Sequence, residues 1–358
     1  MSPAPHSGHS ESKNIKTWEA AMITTRFTEL VGCTVPIQQA GMGAAAPPEL
    51  AAAVSQAGAL GMLGTARPGL TAATLADLLE RTRLLTDKPF GVNFIVAPIF
   101  LTGTPMRPPL DLKCIEIAAR AAKVVEFFYG EPERRFVEMA HAGGALACWQ
   151  VGSREEAVAA ARAGCDFVVA QGIEAGGHVR GTIPMTTLLR EVISAVDVPV
   201  LAAGGIGTGQ AMAAALAAGA DGVRVGTRFV AAAEAAVHPE YVAALIGAEA
   251  QDTALTNVFS ATWPDAPHRV LRSSIVAAEA FQGDIVGETS RLDGTRMPIL
   301  RFASGVPDKT TTGAIGAMAL WAGESVGAVK RVQPAVEIVQ ELVEQAERSR
   351  GTVMAASS

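Results

Sequence analysis

The residues best suited to chemistry lie between Cys165 and Phe229. The run Gln171-Gly172-Ile173-Glu174-Ala175-Gly176-Gly177-His178 sets a histidine in a glycine-rich loop behind an apolar stretch. Ala202-Ala203-Gly204-Gly205-Ile206-Gly207 and Arg224-Val225-Gly226-Thr227 repeat the arrangement, each followed by a helix-like segment. Glycine lets backbone N–H groups approach phosphate oxygens, and a following helix adds a favourable dipole. Thr227 adds a hydroxyl donor. These loops read as a phosphate cradle, with plain tight turns as the competing reading. An imidazole with an ordinary pKa can act as general base or donate to a developing anion, so His178 is the candidate catalytic group. Glu174, the nearest acid, reads as loop support. His6, His9, His141, His238 and His268 lie in the leader, at a helix end or beside prolines, and read as surface or structural residues.

Two upstream features need a decision. Gly41-Met42-Gly43-Ala44-Ala45-Ala46 matches the G-x-G-x-x-A dinucleotide pattern. That pattern needs an acid near the end of the second strand to hold a ribose, and Gly61-Met62-Leu63-Gly64-Thr65 has none. Ala40, Gly41 and Met42 read better as a wall for a flat ring. Asn93 interrupts the apolar run Phe90-Gly91-Val92-Asn93-Phe94-Ile95, and Gln171 ends another such run. A buried amide requires partners, which a ring with donors and acceptors or a neighbouring backbone would supply. The sequence has no G-x-S-x-G, no H-E-x-x-H, no P-loop and no acids at metal spacing, so neither a hydrolase nor a metal site is expected.

The elements that must position these groups follow from pattern. A chain of 358 residues with 49% apolar and 18% charged residues suits one large α/β domain or slightly more. A net charge of −6 without a Lys/Arg stripe argues against nucleic acid. No window of about 18 apolar residues occurs, so no membrane span is expected. Residues 1–20 read as a flexible leader lacking a signal-peptide core. Cys33, Cys114, Cys148 and Cys165 form no metal or disulfide spacing, which predicts reduced thiols in a cytoplasmic protein, with Cys148 and Cys165 buried and inert.

Strand-like runs at 36–40, 59–64, 89–96, 124–129, 145–150, 165–170, 198–203 and 221–225 alternate with helix-like segments at 47–57, 70–85, 110–121, 131–140, 153–163, 186–195 and 208–218. Ser153 and Glu156 predict a capping box, and Gly164 a left-handed helix end. Eight such repeats favour a closed (β/α)8 barrel over 21–235 rather than an open doubly wound sheet. Barrel chemistry collects at the C-terminal strand ends, with phosphate on the loops after strands seven and eight. Those are the Gly204–Gly205 and Gly226–Thr227 loops. Residues 236–333 are expected to form a helical cap over the mouth, with helices at 239–250, 274–281 and 314–332 and irregular chain at 283–307. Residues 334–358 are expected as a closing helix and tail.

Taken together, Pro36-x-x-x-Ala40-Gly41-Met42, Gly91-Val92-Asn93, the Glu174-Ala175-Gly176-Gly177-His178 run, Ala203-Gly204-Gly205-Ile206 and Gly226-Thr227-Arg228-Phe229 resemble the nitronate monooxygenase (2-nitropropane dioxygenase) family of FMN-dependent TIM barrels. The resemblance covers about residues 30–330. It implies an FMN ring near Ala40, Gly41, Met42, Asn93 and Gln171. It implies a phosphate held by backbone around Gly176, Gly177, Gly204, Gly205, Arg224, Val225, Gly226 and Thr227. His178 would be the active-site histidine. The implied reaction oxidises an alkyl nitronate with O2 to a carbonyl compound and nitrite, the histidine first taking the α-proton where neutral nitroalkanes are accepted. Two positions depart from the pattern: Gly41 stands where members often have Pro, and Glu324 where Gln is frequent. The same fold also serves NAD(P)H-dependent flavin reductases acting on quinones or enoyl thioesters, which is the alternative activity. A flavin-free phosphosugar isomerase or aldolase would want a strand-end Lys or paired acids, and neither is present. A homodimer is a further expectation.

Overall fold

Branched and aromatic apolar residues crowd the strand-like runs, and in the computed structural model they form one parallel sheet. The structure describes residues 23–96, 100–101, 104–105 and 110–356, with no side-chain description for 100, 101, 104, 105 and 350–356. The expected leader lies outside the described residues.

The sheet strands are β1 (Ile37–Gln39), β2 (Gly61–Gly64), β3 (Phe90–Ile95), β4 (Val124–Phe128), β5 (Leu146–Val151), β6 (Phe167–Gln171), β7 (Val200–Ala203) and β8 (Gly222–Val225). They pair in the order β1-β8-β7-β6-β5-β4-β3-β2, all parallel. A parallel bridge between Gln38 and Leu60 joins β1 to β2 and closes the ring. The fold is the (β/α)8 barrel that the alternating pattern predicts.

Alternation along each strand sorts the side chains. Val92, Phe94, Val125, Phe127, Ala147, Trp149, Val168, Ala202, Val223 and Val225 face outward and pack under the helices. Leu60, Met62, Val124, Cys148, Phe167, Val169 and Leu201 face inward, where Phe27 and Val31 join them from a short helix α1 (Arg26–Val31). Higher in the barrel the interior turns polar, with Gln38, Asn93, Glu126, Gln150, Gln171 and Arg224 all buried.

The ring helices are α2 (Pro48–Gln56), α3 (Ala72–Leu85), α4 (Leu112–Ala121), α5 (Arg134–Ala142), α6 (Arg154–Ala163), α7 (Met185–Ile193) and α8 (Gly209–Ala217). Gly164 ends α6 at φ +103°, and the Ser153 side chain accepts from the Glu156 amide at 3.1 Å. The reciprocal half of the capping box is redirected. The Glu156 carboxylate accepts from the Gly152 amide at 2.7 Å and pairs with Arg180 at 2.8 Å, so the site loop competes for it.

After β8 comes a single helical turn, α9 (Thr227–Val230), then α10 (Pro239–Ile246) and α11 (Arg272–Ala280). Between them lies the antiparallel pair β9 (Thr253–Thr256) and β10 (His268–Leu271), and beyond α11 the pair β11 (Ile285–Ser290) and β12 (Arg296–Leu300). The segment 236–333 is therefore mixed rather than helical. The helix expected at 314–332 is replaced by two 3-10 turns, Ile315–Ala317 and Glu324–Ala328. Gly316, Gly323 and Gly327 weaken a helix there, and the backbone is spent elsewhere: Trp321 bridges Val270, and the Gly323 amide donates to Thr227 Oγ1 at 3.1 Å. The closing helix α12 (Ala335–Ala356) packs against α8 and α2, filling the ring position that follows β8.

Candidate active site

The loop after β6 is built from its first residue. Gln171 turns inward at the barrel mouth, and its Nε2 donates to the His178 carbonyl at 2.9 Å while its Oε1 accepts from the Arg180 amide at 3.1 Å. Both ends of the amide thus hold the loop rather than standing free for a ring. The Glu174 carboxylate accepts from the Met185 amide at 3.1 and 3.0 Å, capping α7 and fixing the base of the loop. Gly177 has φ +74°, and a Cβ on Gly176 would overlap the Gly323 amide nitrogen, so both positions demand glycine. Gly177–His178 then pairs antiparallel with His268 and Arg269 of β10.

That pairing sets His178 in an aromatic cage. Its ring lies 4.1 Å from Trp263, 5.1 Å from Trp321, 5.6 Å from His268 and 5.9 Å from Tyr129, centre to centre. Nδ1 is 3.4 Å from the Ala266 carbonyl, which also takes His268 Nδ1 at 2.8 Å. A carbonyl only accepts, so Nδ1 carries the proton and Nε2 keeps a lone pair; among the described residues Nε2 has no hydrogen-bond partner. Burial in the cage, with a contribution from His268, pushes the His178 pKa down to about 3. The imidazole is neutral at neutral pH and a weak base. Tyr129 holds a left-handed backbone (φ +68°), stacks edge-on against Trp263 at 4.6 Å, and lies under the Arg180 guanidinium. Arg180 pairs with Glu131 at 2.9 Å and with Glu156, tying the loops after β4, β5 and β6 together.

Beside this cage the ends of β7 and β8 lie next to each other in register. Gly204 and Gly205 have φ +104° and +69°, a left-handed backbone that favours glycine at both positions. Among the described residues, the amides of Gly204, Gly205, Gly226 and Thr227 donate to no protein acceptor. Unspent N–H groups clustered at strand ends suit an anion. Ala40 donates to the Val225 carbonyl at 2.9 Å, which brings the Ala40–Met42 loop alongside, and Gly41 packs so closely on Asn93 that a Cβ would overlap it. Asn93 Nδ2 donates to Glu126 Oε1 at 2.6 Å. Arg224 departs from its loop neighbours, because its side chain points into the barrel against Glu126, Gln150 and Gln38, leaving only its backbone at the strand end.

The sequence profile described as nitronate monooxygenase matches residues 24–100 and 99–345. The chain belongs to the nitronate monooxygenase family. It is accordingly a flavin-dependent oxidoreductase. The chain is 32% identical over 366 residues to a nitronate monooxygenase of Pseudomonas aeruginosa, covering 90% of this chain and 99% of the relative. It is also 36% identical over 265 residues to a Rhodococcus jostii protein named (3aS,4S,5R,7aS)-5-hydroxy-7a-methyl-1-oxo-octahydro-1H-indene-4-carboxyl-CoA dehydrogenase, covering 74% and 70% respectively. Among solved structures, the nitroalkane oxidase of Streptomyces ansochromogenes superposes with a TM-score of 0.74, at 29% identity over 92% of this chain and all of that one.

The residues present fit a flavin of this family: the unspent amides at the ends of β7 and β8 suit an anionic group, and the Gly41–Asn93 contact forms a wall on the neighbouring loop. Several site residues escaped the sequence reading. His268, expected as a surface or structural residue, is buried and held at both ring nitrogens, Nδ1 on the Ala266 carbonyl and Nε2 accepting from the Phe259 amide at 3.1 Å, and its ring borders His178. Trp263, Trp321 and Tyr129 also belong to the cage. In a chain with only 4 Trp and 2 Tyr, their placement beside prolines and glycines was the available signal.

Proposed function

We propose that the protein binds FMN and oxidises alkyl nitronates with O2 to carbonyl compounds and nitrite. The observation that carries this reading is His178, its Nδ1 committed to Ala266 and its Nε2 free, caged by Trp263 and Trp321 beside the unspent amides at the ends of β7 and β8. When bound, the flavin supplies the electron acceptor and the reaction with O2. The amides of Gly204, Gly205, Gly226 and Thr227 hold its phosphate, while Ala40, Gly41, Met42 and Asn93 flank its ring. Gln171 and the backbone at Gly176, Gly177 and Arg224–Val225 keep those loops in place. Trp263 and Trp321 exclude water from the reacting end, and His178 Nε2 contacts the substrate.

The lowered basicity of His178 bears on substrate form. A base far below the working pH removes a carbon-bound proton inefficiently. This favours nitronates, which arrive already deprotonated, over neutral nitroalkanes. Four free thiols support a reducing, cytoplasmic location, and burial raises the pKa of Cys148 and pushes Cys33 and Cys165 to about 12, leaving them inert.

A second reading is NAD(P)H-dependent reduction of quinones or thioesters, and its thioester substrate class is shared with the relative named as a carboxyl-CoA dehydrogenase. Anaerobic mixing separates the two. The flavoprotein is mixed with propyl-2-nitronate, NADH or NADPH, and its visible absorbance is followed. Rapid reduction by the nitronate supports the first reading; rapid bleaching by a nicotinamide with no response to the nitronate overturns it. A colourless protein that takes up no FMN would overturn both.

A further inference from the structure

Three members of the polar layer inside the barrel, Gln38, Glu126 and Gln150, have no role in the proposed function. Glu126 of β4 is fully buried, and its two oxygens face different donors. Oε2 accepts from Gln38 Nε2 at 3.0 Å and is paired with the Arg224 guanidinium, which also contacts Gln38 and Gln150. Oε1 accepts from Asn93 Nδ2 at 2.6 Å. Both oxygens of Glu126 therefore accept, Oε2 from Gln38 and the Arg224 guanidinium and Oε1 from Asn93, and the NH2 end of Asn93 faces the carboxylate. The Asn93 Oδ1 is thereby turned toward the Ala40–Met42 loop, where a Cβ on Gly41 would stand 3.0 Å from it. Among the described residues nothing donates to that oxygen. The Asn93 backbone is held as well, its carbonyl accepting from Thr65 Oγ1 at 2.6 Å.

We propose that Glu126, held by Arg224 and Gln38, is a positioning residue that fixes the Asn93 amide so that Asn93 offers the bound flavin an acceptor and not a donor. The inference rests on the flavin reading of the site. It follows that an N–H of the cofactor, and not a carbonyl, meets Asn93. A bare ion pair in a barrel core would be weak grounds for a functional role, since apolar packing often replaces such pairs without loss. Here the pair has a directional consequence at the pocket wall, and that consequence can be reversed by design.

In Glu126→Gln the single carbonyl oxygen belongs on the side with two donors, Gln38 and Arg224. Its NH2 then faces residue 93, and Asn93 must flip to present Nδ2 to the ring. Adding Asn93→Asp restores an acceptor at the wall and the net charge of the layer. The test is FMN affinity by fluorescence titration, with the bound-flavin absorption and visible circular dichroism recorded alongside. Wild type is expected to bind FMN, Glu126→Gln to bind about 10–100-fold more weakly with a shifted flavin spectrum, as for one unsatisfied buried hydrogen bond, and the double variant to recover most of that loss. Wild-type affinity and spectrum in a folded Glu126→Gln protein would overturn the proposal, as would a double variant no tighter than the single one. If Glu126→Gln alone does not fold, the charge-matched double variant decides: binding within about threefold of wild type supports the proposal, and a loss beyond about tenfold overturns it. A wild type that binds no flavin overturns the parent reading instead, and this one with it.

Discussion

His178 and Gly41 carry the predictions that belong to single residues. His178→Ala should leave FMN bound, because no cofactor contact is assigned to the ring. It should lower turnover of neutral nitroalkanes by about 10²–10⁴-fold, the usual cost of losing a positioned acid–base group, and lower that of nitronates, which need no proton removed, by less; unchanged turnover of both would make the histidine structural. The pKa of about 3 has a thermodynamic counterpart. The unfolded chain binds this proton more readily than the folded one between about 6.5 and 3, so stability falls as pH drops through that window. Denaturant midpoints at pH 7 and 5 should show a smaller loss in His178→Ala than in wild type. At Gly41 the constraint is space. A Cβ there would overlap Asn93, so Gly41→Ala should displace Asn93 and weaken FMN by about tenfold or more, read by the same fluorescence titration.

At the scale of elements, the β9–β10 pair acts as a clamp on the loop after β6. Arg269 donates to the Ile173 carbonyl at 2.9 Å and pairs with Glu324 at 3.0 Å, joining β10, the loop after β6 and the 3-10 turn at 324 in one contact. Glu324 is half-exposed and committed to Arg269, so its carboxylate is partly spent before it can act on the cofactor's surroundings. Arg269→Ala would strand a carbonyl that has lost its donor, a cost of about 1–3 kcal/mol. Hydrogen exchange should quicken across Gly176–Val179 in that variant, while α3 and α4 on the far side of the ring stay unchanged. Equal exchange in both regions would show that the clamp is not local.

On the scale of the whole molecule, the ring of helices is completed by a segment distant in sequence. α12 buries Ile338, Val339, Leu342 and Val343 against α8 and α2. Burial at about 1.5–3 kcal/mol per side chain puts these four at roughly 6–12 kcal/mol, comparable with the whole stability of an ordinary domain. Arg228, next to the β8 loop, adds a polar tie, donating to the Ala328 carbonyl at 2.6 Å and pairing with Glu341 of α12. A chain truncated before Pro334 should therefore fail to fold, seen as loss of the cooperative thermal transition. A soluble, cooperatively melting truncation would contradict the assignment of α12 as the eighth ring helix. Among the described residues no helix is long and apolar enough to cross a membrane.

Local chemistry was legible without coordinates. The alternation of apolar runs with Ala/Leu segments determined the eight strands, because a strand buried on both faces must be apolar nearly throughout and its crossover must be amphipathic. Glycine at 176, 177, 204 and 205 determined the turns, because few other residues tolerate those angles or that closeness. Ser153 and Gly164 determined the ends of α6 for the same local reasons. What only tertiary structure decided was every choice between partners far apart in sequence. Glu156 left its capping box for Arg180, the 314–332 segment spent its backbone on β8 and β10 instead of on itself, and Arg224 turned into the barrel to meet Glu126. The cage around His178 is assembled from 129, 263, 268 and 321, whose spacing carries no period that a sequence window can detect. Such contacts are selected by the closure of the barrel, which brings all strand ends to one mouth, and no short-range rule reports where that mouth will be.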